Sequence, residues 1–305
     1  MSRAAIEEAA RILGPMARRA VPLGPLTTYR VGGPAALFVE PADDGQLEEV
    51  AVAVRATGVP LLVLGKGSNL LVTDAGFEGL CIRLGEGFAG LSLKGSEVLA
   101  GGALSYPVLA RRTAAAGLSG MEWAVGIPGS VGGAVRMNAG GHGAETSDTL
   151  VAAEVVSLSG EPARRTRKRE ELDFSYRHSA VSEDEVVVSA RFSLTPGDPA
   201  ASNARIQQIV RWRRENQPGG QNAGSVFTNP PGDSAGRLVD EAGLKGFRIG
   251  TAAVSEKHAN FIQADPGGSA DDVWRVVQAV RRQVAAATGI ELELEVRFMG
   301  PAGSL

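Results

Sequence analysis

Between positions 126 and 143 the chain reads GIPGSVGGAVRMNAGGHG, and seven of those eighteen residues are glycine. Glycine has no Cβ, so it accepts positive φ and lets another group come close to the main chain. Such a run leaves backbone N–H groups able to converge on an anion. Ile127-Pro128 fixes the entry, because proline locks its own φ and holds the preceding residue extended. The implied chemistry is the holding of a phosphate-bearing ligand; the plain alternative is a tightly packed loop. Val131, Ala134, Val135 and Met137 recur through the run, which flexible linkers lack. A second glycine turn, Gly65-Lys-Gly-Ser-Asn69, follows the apolar run 60–64. It is not a dinucleotide fingerprint, since the third glycine is absent and no helix follows. With Lys66, Ser68 and Asn69, the two turns have the groups to hold a pyrophosphate.

Reactive side chains are few. Arg177 stands in Phe174-Ser-Tyr-Arg-His-Ser179, where a guanidinium can grip a carboxylate or phosphate with two hydrogen bonds. Ser225 follows Ala-Gly and precedes Val-Phe, on a glycine-released turn at the start of a strand. It has no G-x-S-x-G context and no evident His–Asp pair, which argues against a hydrolase nucleophile. Glu295 is one of three glutamates on the polar face of an alternating segment, so pattern alone puts it in solvent. His142, His178 and His258 lack metal-ligand spacing, and no metal is expected. Cys81 is the one cysteine; it rules out an internal disulfide and reads as a buried, inert thiol.

The composition fits a protein that holds a large ligand better than a nucleic-acid binder. A length of 305 residues suggests about two domains. Glycine, at 40 residues, is close to twice its usual share of about 7%, while aromatics are only 5%, so a large ligand would be held by main chain rather than by stacking. A net charge of −3 with no dominant basic face argues against nucleic acid. No apolar run approaches the ~18 residues that span a membrane. The first residues carry acids and no long apolar stretch, so no signal peptide is expected and a cytoplasmic monomer is the default.

The elements that must position these groups follow from periodicity. Helices are predicted over residues 2–13, 44–56 (capped by Asp43 or Asp44), 106–116, 202–216, 234–242 and 269–288. Ser269 is placed to cap the last, with Asp272 at N3 and a stripe of Val273, Val276, Val277, Val280 and Val284. Strands are predicted over 35–41, 60–64, 79–84, 150–158, 185–194, 248–254 and 259–264, with a hairpin over 91–104. Residues 290–298 alternate strictly and read as the last strand. The basic run 164–169, flanked by Glu161, Glu170 and Glu171, reads as a solvated turn. Strands first and a mixture afterwards suggest an α+β fold, with the boundary near Pro196-Gly-Asp-Pro199.

Nine segments, in order, resemble the UDP-N-acetylenolpyruvoylglucosamine reductase (MurB) family. They are Thr27-Thr-Tyr-Arg-Val-Gly-Gly-Pro-Ala35, Gly65-Lys-Gly-Ser-Asn-Leu-Leu71, Gly126-Ile-Pro-Gly-Ser-Val-Gly-Gly-Ala134, Asn138-Ala-Gly140, Tyr176-Arg-His-Ser179, Gly224-Ser-Val-Phe-Thr-Asn-Pro230, Ala242-Gly-Leu-Lys-Gly246, Val254-Ser-Glu-Lys-His-Ala-Asn-Phe261 and Leu294-Glu-Val-Arg297. The resemblance implies a PCMH/vanillyl-alcohol-oxidase-type FAD-binding domain over residues 1–197, in two subdomains. A smaller α+β substrate-binding domain over 198–305 follows. It implies an NADPH-dependent flavoenzyme that reduces a UDP-sugar enolpyruvyl ether in peptidoglycan precursor synthesis.

By the same resemblance Ser225 is the proton donor, and Arg177 and Glu295 are the other catalytic residues. Tyr29, Gly65, Lys66, Gly67, Ser68, Asn69 and Leu70 fall at FAD-binding positions. So do Gly126, Ile127, Pro128, Gly129, Ser130, Gly133, Ala134 and Gly143. Tyr176, Asn229, Lys245 and His258 fall at substrate positions. Ser130 stands where threonine is frequent and Thr228 where lysine is frequent. With only Tyr29, Tyr106 and Tyr176 present, the chain resembles the class that lacks a substrate-clamping tyrosine. Other readings are another flavoprotein of that fold, or a nucleotide-sugar-binding module that lacks flavin.

Overall fold

The computed structural model describes residues 3–160 and 164–304, without the side chain of Ser304. Ser2 of the first helical pattern and Glu161 beside the basic run lie outside the described residues. Seven α-helices occur among the described residues: α1 (Arg3–Leu13), α2 (Asp44–Thr57), α3 (Tyr106–Ala115), α4 (Val131–Arg136), α5 (Pro199–Asn216), α6 (Ala235–Glu241) and α7 (Ala270–Thr288). Strands outnumber them, and the α+β reading holds. Two compact units emerge. The first comprises Met1–Arg18, Leu37–Lys66 and Leu80–Arg213; the second comprises Arg19–Ala36, Gly67–Gly79 and Arg214–Leu305. The geometric division therefore differs from a single cut at 197/198. α5 stays with the first unit as far as Arg213 because Ile206 and Ile209 are buried in that unit's core.

In the first unit a five-stranded antiparallel sheet runs in the order Arg164–Lys168, Leu150–Ser157, Glu185–Ser193, Glu97–Gly101, Leu91–Lys94. Ala153 pairs with Ala190, and Ala190 with Ala100, so small buried residues line its middle. The face packed on α3 and α4 gathers Tyr106, Leu109, Val131, Val155 and Phe192 into one core. A second core joins α1 and α2 to Leu37, Val39, Leu80 and Ile82. Asp43 caps α2 by accepting the Gln46 N–H at 2.9 Å. Cys81 is fully buried, and burial pushes its thiol up, away from reactivity.

The basic run is solvent-exposed, as expected, but it is a strand rather than a turn. Arg164–Lys168 is an edge strand paired with Leu150–Ser157, and its arginines hold the neighbouring chain. Arg165 and Arg167 pair with the buried Glu185. Arg167 also donates to the Ala180 and Glu171 carbonyls at 2.8 and 2.5 Å, and Arg169 to the Ser147 carbonyl at 2.7 Å. A strand that reads Arg-Arg-Thr-Arg-Lys carries no apolar signature, which is why pattern reading missed it.

In the second unit α7 follows its predicted design. Ser269 accepts the Asp272 N–H at 3.1 Å, and all five stripe valines are buried. Each contributes about 1.5–3 kcal/mol of transfer free energy. Asp74 adds a second cap, accepting the Ala270 N–H at 2.9 Å, where the helix dipole favours a carboxylate. The strands are shorter than predicted: Arg248–Ile249 and Ala252–Val254 form a hairpin, and Ile262–Ala264 pairs with the latter. The alternating segment 290–298 is mostly not strand. Only Arg297–Gly300 is, pairing parallel with Leu70–Val72. The N–H groups of Glu295 and Val296 both reach the Val226 carbonyl, at 2.8 and 3.3 Å. That doubling bends the chain and breaks the ladder.

Candidate functional site

A cavity of about 380 Å³ opens in the first unit, within the size range of ligand sites. Gly65, Lys66, Gly102, Ser130, Gly132 and Gly133 supply much of its wall, with Arg83 and Arg136 among its charged groups. Ser130 closes the entry to α4, accepting the Gly133 N–H at 3.2 Å. The stretch 126–143 is thus more ordered than a bare loop. It contains α4 and a small hairpin in which Gly140–Gly141 pairs with Ala144–Glu145. The Gly126 carbonyl takes the Arg213 guanidinium, and the Gly129 carbonyl takes the Tyr106 N–H at 2.9 Å. His142 lies edge-on to Trp212, centroids 5.1 Å apart; burial, then Arg205 and Arg213, hold its pKa down.

Among the described residues, no protein acceptor takes the backbone N–H of Gly65 or Lys66, and Lys66 has no acid partner. Those groups suit the anionic middle of a dinucleotide. The second unit takes up the turn at Gly67, where φ is 62° and a Cβ would lie 2.5 Å from the Leu26 carbonyl oxygen. Only glycine fits there without moving the chain. The N–H groups of Gly67, Ser68 and Asn69 likewise meet no protein acceptor among the described residues. Tyr29 in the same unit is fully buried, yet its hydroxyl has no hydrogen-bond partner. A buried hydroxyl left this way costs about 1–3 kcal/mol, so a bound group that satisfies it would be favoured. In the first unit, the Gly65 and Lys66 N–H groups have the chemistry to meet the phosphates of FAD.

Arg177 is held in an unusual backbone. Ser175 and His178 exchange both N–H···O=C bonds, at 3.2 and 3.1 Å, closing a two-residue turn in which Arg177 has φ 57°. Glycine or asparagine normally occupies that position, so an arginine there is strained and marks a functional hypothesis. Its guanidinium donates to the Gly140 carbonyl at 3.0 Å and lies 4.7 Å from the centre of the exposed Tyr176 ring.

Ser225 and Glu295 belong to the second unit and sit on adjacent segments. Glu295 donates its N–H to Val226, and Phe227 bridges Leu294. Asn69 adds a third tie, donating from Nδ2 to the Glu295 carbonyl at 2.9 Å and accepting the Arg297 N–H at 3.1 Å. Glu291 and Glu293 are exposed, whereas Glu295 is half-buried, so the alternation misjudged its surroundings. Asn229 is exposed and accepts the Ala235 N–H at 3.1 Å. Lys245 pairs with Asp240 at 2.6 Å. His258 packs on Phe261, centroids 4.7 Å apart; burial first, then Lys245, depresses its pKa against an opposing hydrogen bond. Arg177 and Tyr176 belong to the first unit, apart from these residues in the division of the chain.

Sequence reading passed over two buried asparagines. Asn260 receives the Phe227 N–H at 2.9 Å and donates to the Phe227 carbonyl at 2.8 Å, fixing the segment after Ser225, which is not the expected strand but carries one isolated bridge, Phe227 to Leu294. Asn138 does similar work beside Arg177. Their one signal was an amide inside an otherwise apolar or glycine-rich stretch. Among the described residues, no cluster of three His, Cys, Asp or Glu could hold a metal ion.

Comparison with known proteins identifies the class first. The FAD binding domain family matches residues 35–164, so the chain is a flavin-binding protein with a second domain behind it. That second part, residues 216–299, matches the C-terminal domain of UDP-N-acetylenolpyruvoylglucosamine reductase. The reductase of that name from Heliobacterium modesticaldum is 46% identical over 285 residues, covering 92% of this chain and 90% of its own. The Rubrobacter xylanophilus reductase is 42% identical, covering 94% and 97%. The Thermus caldophilus reductase crystal structure superposes with a TM-score of 0.80 at 40% identity, covering 92% of this chain and 98% of that one. The chain belongs to the UDP-N-acetylenolpyruvoylglucosamine reductase family.

Proposed function

We infer that this chain is an FAD-dependent reductase that uses NADPH to reduce the enolpyruvyl ether of a UDP-N-acetylglucosamine to its lactyl ether, a step in peptidoglycan precursor synthesis. Family membership over nine-tenths of the chain carries the reading. FAD, when bound, supplies the hydride relay from NADPH to the terminal carbon of the enolpyruvyl group. The turns at 65–69 and 126–133 would hold its pyrophosphate, and the Tyr29 hydroxyl would find its partner there.

The chain's own residues supply the rest. The C=C bond gains a hydride at its terminal carbon and a proton at the carbon bearing the ether oxygen, and NADPH leaves as NADP+. Ser225 is the proton donor in this reading, a positioned general acid whose segment is fixed by Asn260 at Phe227. Arg177 compensates the charge that grows on the substrate carboxylate as hydride arrives, which is worth most in a site already organised for it. Glu295, half-buried and tied by its main chain to Val226 and Asn69, offers the third polar contact. Tyr176, Asn229, Lys245 and His258 hold the sugar nucleotide. The protein acts as a cytoplasmic monomer; no helix among the described residues is long and apolar enough to cross a membrane.

The test is a steady-state assay on the purified protein. NADPH oxidation should depend on added UDP-N-acetylglucosamine enolpyruvate. Oxidation that proceeds equally without it, at the expense of oxygen, would replace this reading with an oxidase.

A further inference from the structure

The Asn138 carboxamide forms a clamp between the glycine bed and the turn that carries Arg177. Asn138 is fully buried and has φ 39°, a left-handed backbone that asparagine tolerates better than most residues. Its Nδ2 donates to the Ser175 carbonyl at 3.0 Å, and its Oδ1 accepts the Ser147 N–H at 3.0 Å. The two partners fix the orientation of the amide, since a carbonyl needs a donor and an N–H needs an acceptor. Ser175 is the first residue of the two-residue turn, and Gly140, two residues beyond Asn138, accepts the Arg177 guanidinium. A Cβ at Gly140 would lie 2.9 Å from the Ala144 carbonyl oxygen and 3.1 Å from Arg177 Nη1, so the segment is closely packed at this point. One short segment, 138–140, therefore holds the turn at its base and the guanidinium at its tip.

We propose that Asn138 is a positioning residue for Arg177: its amide sets the turn so that the guanidinium meets the substrate carboxylate. The proposal rests on the role given to Arg177 above. The surroundings support it. Arg136 donates to the Val181 and Ser182 carbonyls, each at 2.5 Å, and Ser179 donates to the Arg136 carbonyl at 2.8 Å. The far end of the segment is thus fixed independently. Within the turn itself, Ser175, Tyr176 and His178 are exposed, which leaves Asn138 as the buried tie at its base.

Asn138→Asp isolates the clamp. It keeps the shape, the tolerance of positive φ and the acceptor for Ser147, but sets a carboxylate oxygen against the Ser175 carbonyl. Three measurements on the holoenzyme read it. Trypsin cleavage after Arg177, followed by mass spectrometry, accelerates severalfold as the turn loosens. The kcat for enolpyruvyl reduction falls about tenfold to a hundredfold, while flavin reduction by NADPH alone is unchanged. In an Arg177→Ala background the same substitution adds less than about twofold, because the two residues act as one unit. An unchanged trypsin rate, or a full additional loss in that background, overturns the proposal. If Arg177→Ala alone leaves turnover intact, the role of Arg177 fails, while the trypsin rate still judges the clamp. Should Asn138→Asp not fold, Asn138→Gly, which accepts φ 39°, is read by the same measurements with the same meanings.

Discussion

Serine is a weak acid in water, so a serine that protonates carbon must owe its competence to what surrounds it. Ser225 follows Gly224, whose N–H is taken by Asn222 Oδ1 at 3.0 Å, and precedes Val226 and Phe227, whose N–H groups are both taken by Asn260, at 2.9 Å each. Its neighbour Val226 receives two N–H groups from the Glu295 segment. The residue is thus held, half-buried, beside a carboxylate-bearing bend. Ser225→Ala should leave NADPH able to bleach the flavin, while product formation falls by about 10²-fold or more, as for loss of a general acid. Rapid-mixing absorbance with product analysis checks this; retained product formation would remove Ser225 from the proton path. The hydroxyl was visible in the sequence. Its supports were not, because an amide that bonds a segment some thirty positions away leaves no local periodicity.

Elements defined by apolar spacing were legible, and those defined by charge or strain were not. α2 and α7 lie where their stripes and caps put them, since burial and capping are both local in sequence. The edge strand Arg164–Lys168 was invisible because its value lies in a buried acid, Glu185, contributed by a strand twenty residues later. Burial pushes the Glu185 carboxyl up, but the Ser182 N–H and the guanidinium groups of Arg165 and Arg167 overrule it, leaving the pKa below its usual value. A carboxyl held lower in the folded state stabilises the fold above its unfolded pKa of about 4.3, and that contribution is lost as pH falls through the folded value. Glu185→Gln should therefore cost about 1–3 kcal/mol at neutral pH, because Arg167 loses a buried charged acceptor while the half-exposed Arg165 returns to water. It should also flatten the acid limb of a plot of melting temperature against pH. A variant that melts like the parent at pH 7 would show that the pair contributes nothing. The arginine at φ 57° and the asparagine at φ 39° belong to the same class of missed features, since nothing in a single sequence marks a non-glycine residue as left-handed.

For the molecule as a whole, ordered motifs were more informative than periodicity. Nine separated segments in one order pointed to a flavin reductase, and the family matches at 35–164 and 216–299 take in seven of them. The discontinuity of the chain was hidden: residues 19–36 and 67–79 join the C-terminal stretch in the second unit, so no single cut describes the division. The division of the chain falls within the glycine turn 65–69, between Lys66 and Gly67. The central claim is that both halves of one redox cycle occur on this chain, and an anaerobic absorbance titration addresses it directly. The purified protein should be yellow, lose its visible band with one equivalent of NADPH, and regain it on adding UDP-N-acetylglucosamine enolpyruvate. A colourless protein, or a bleached flavin whose band returns only with oxygen, would contradict the account.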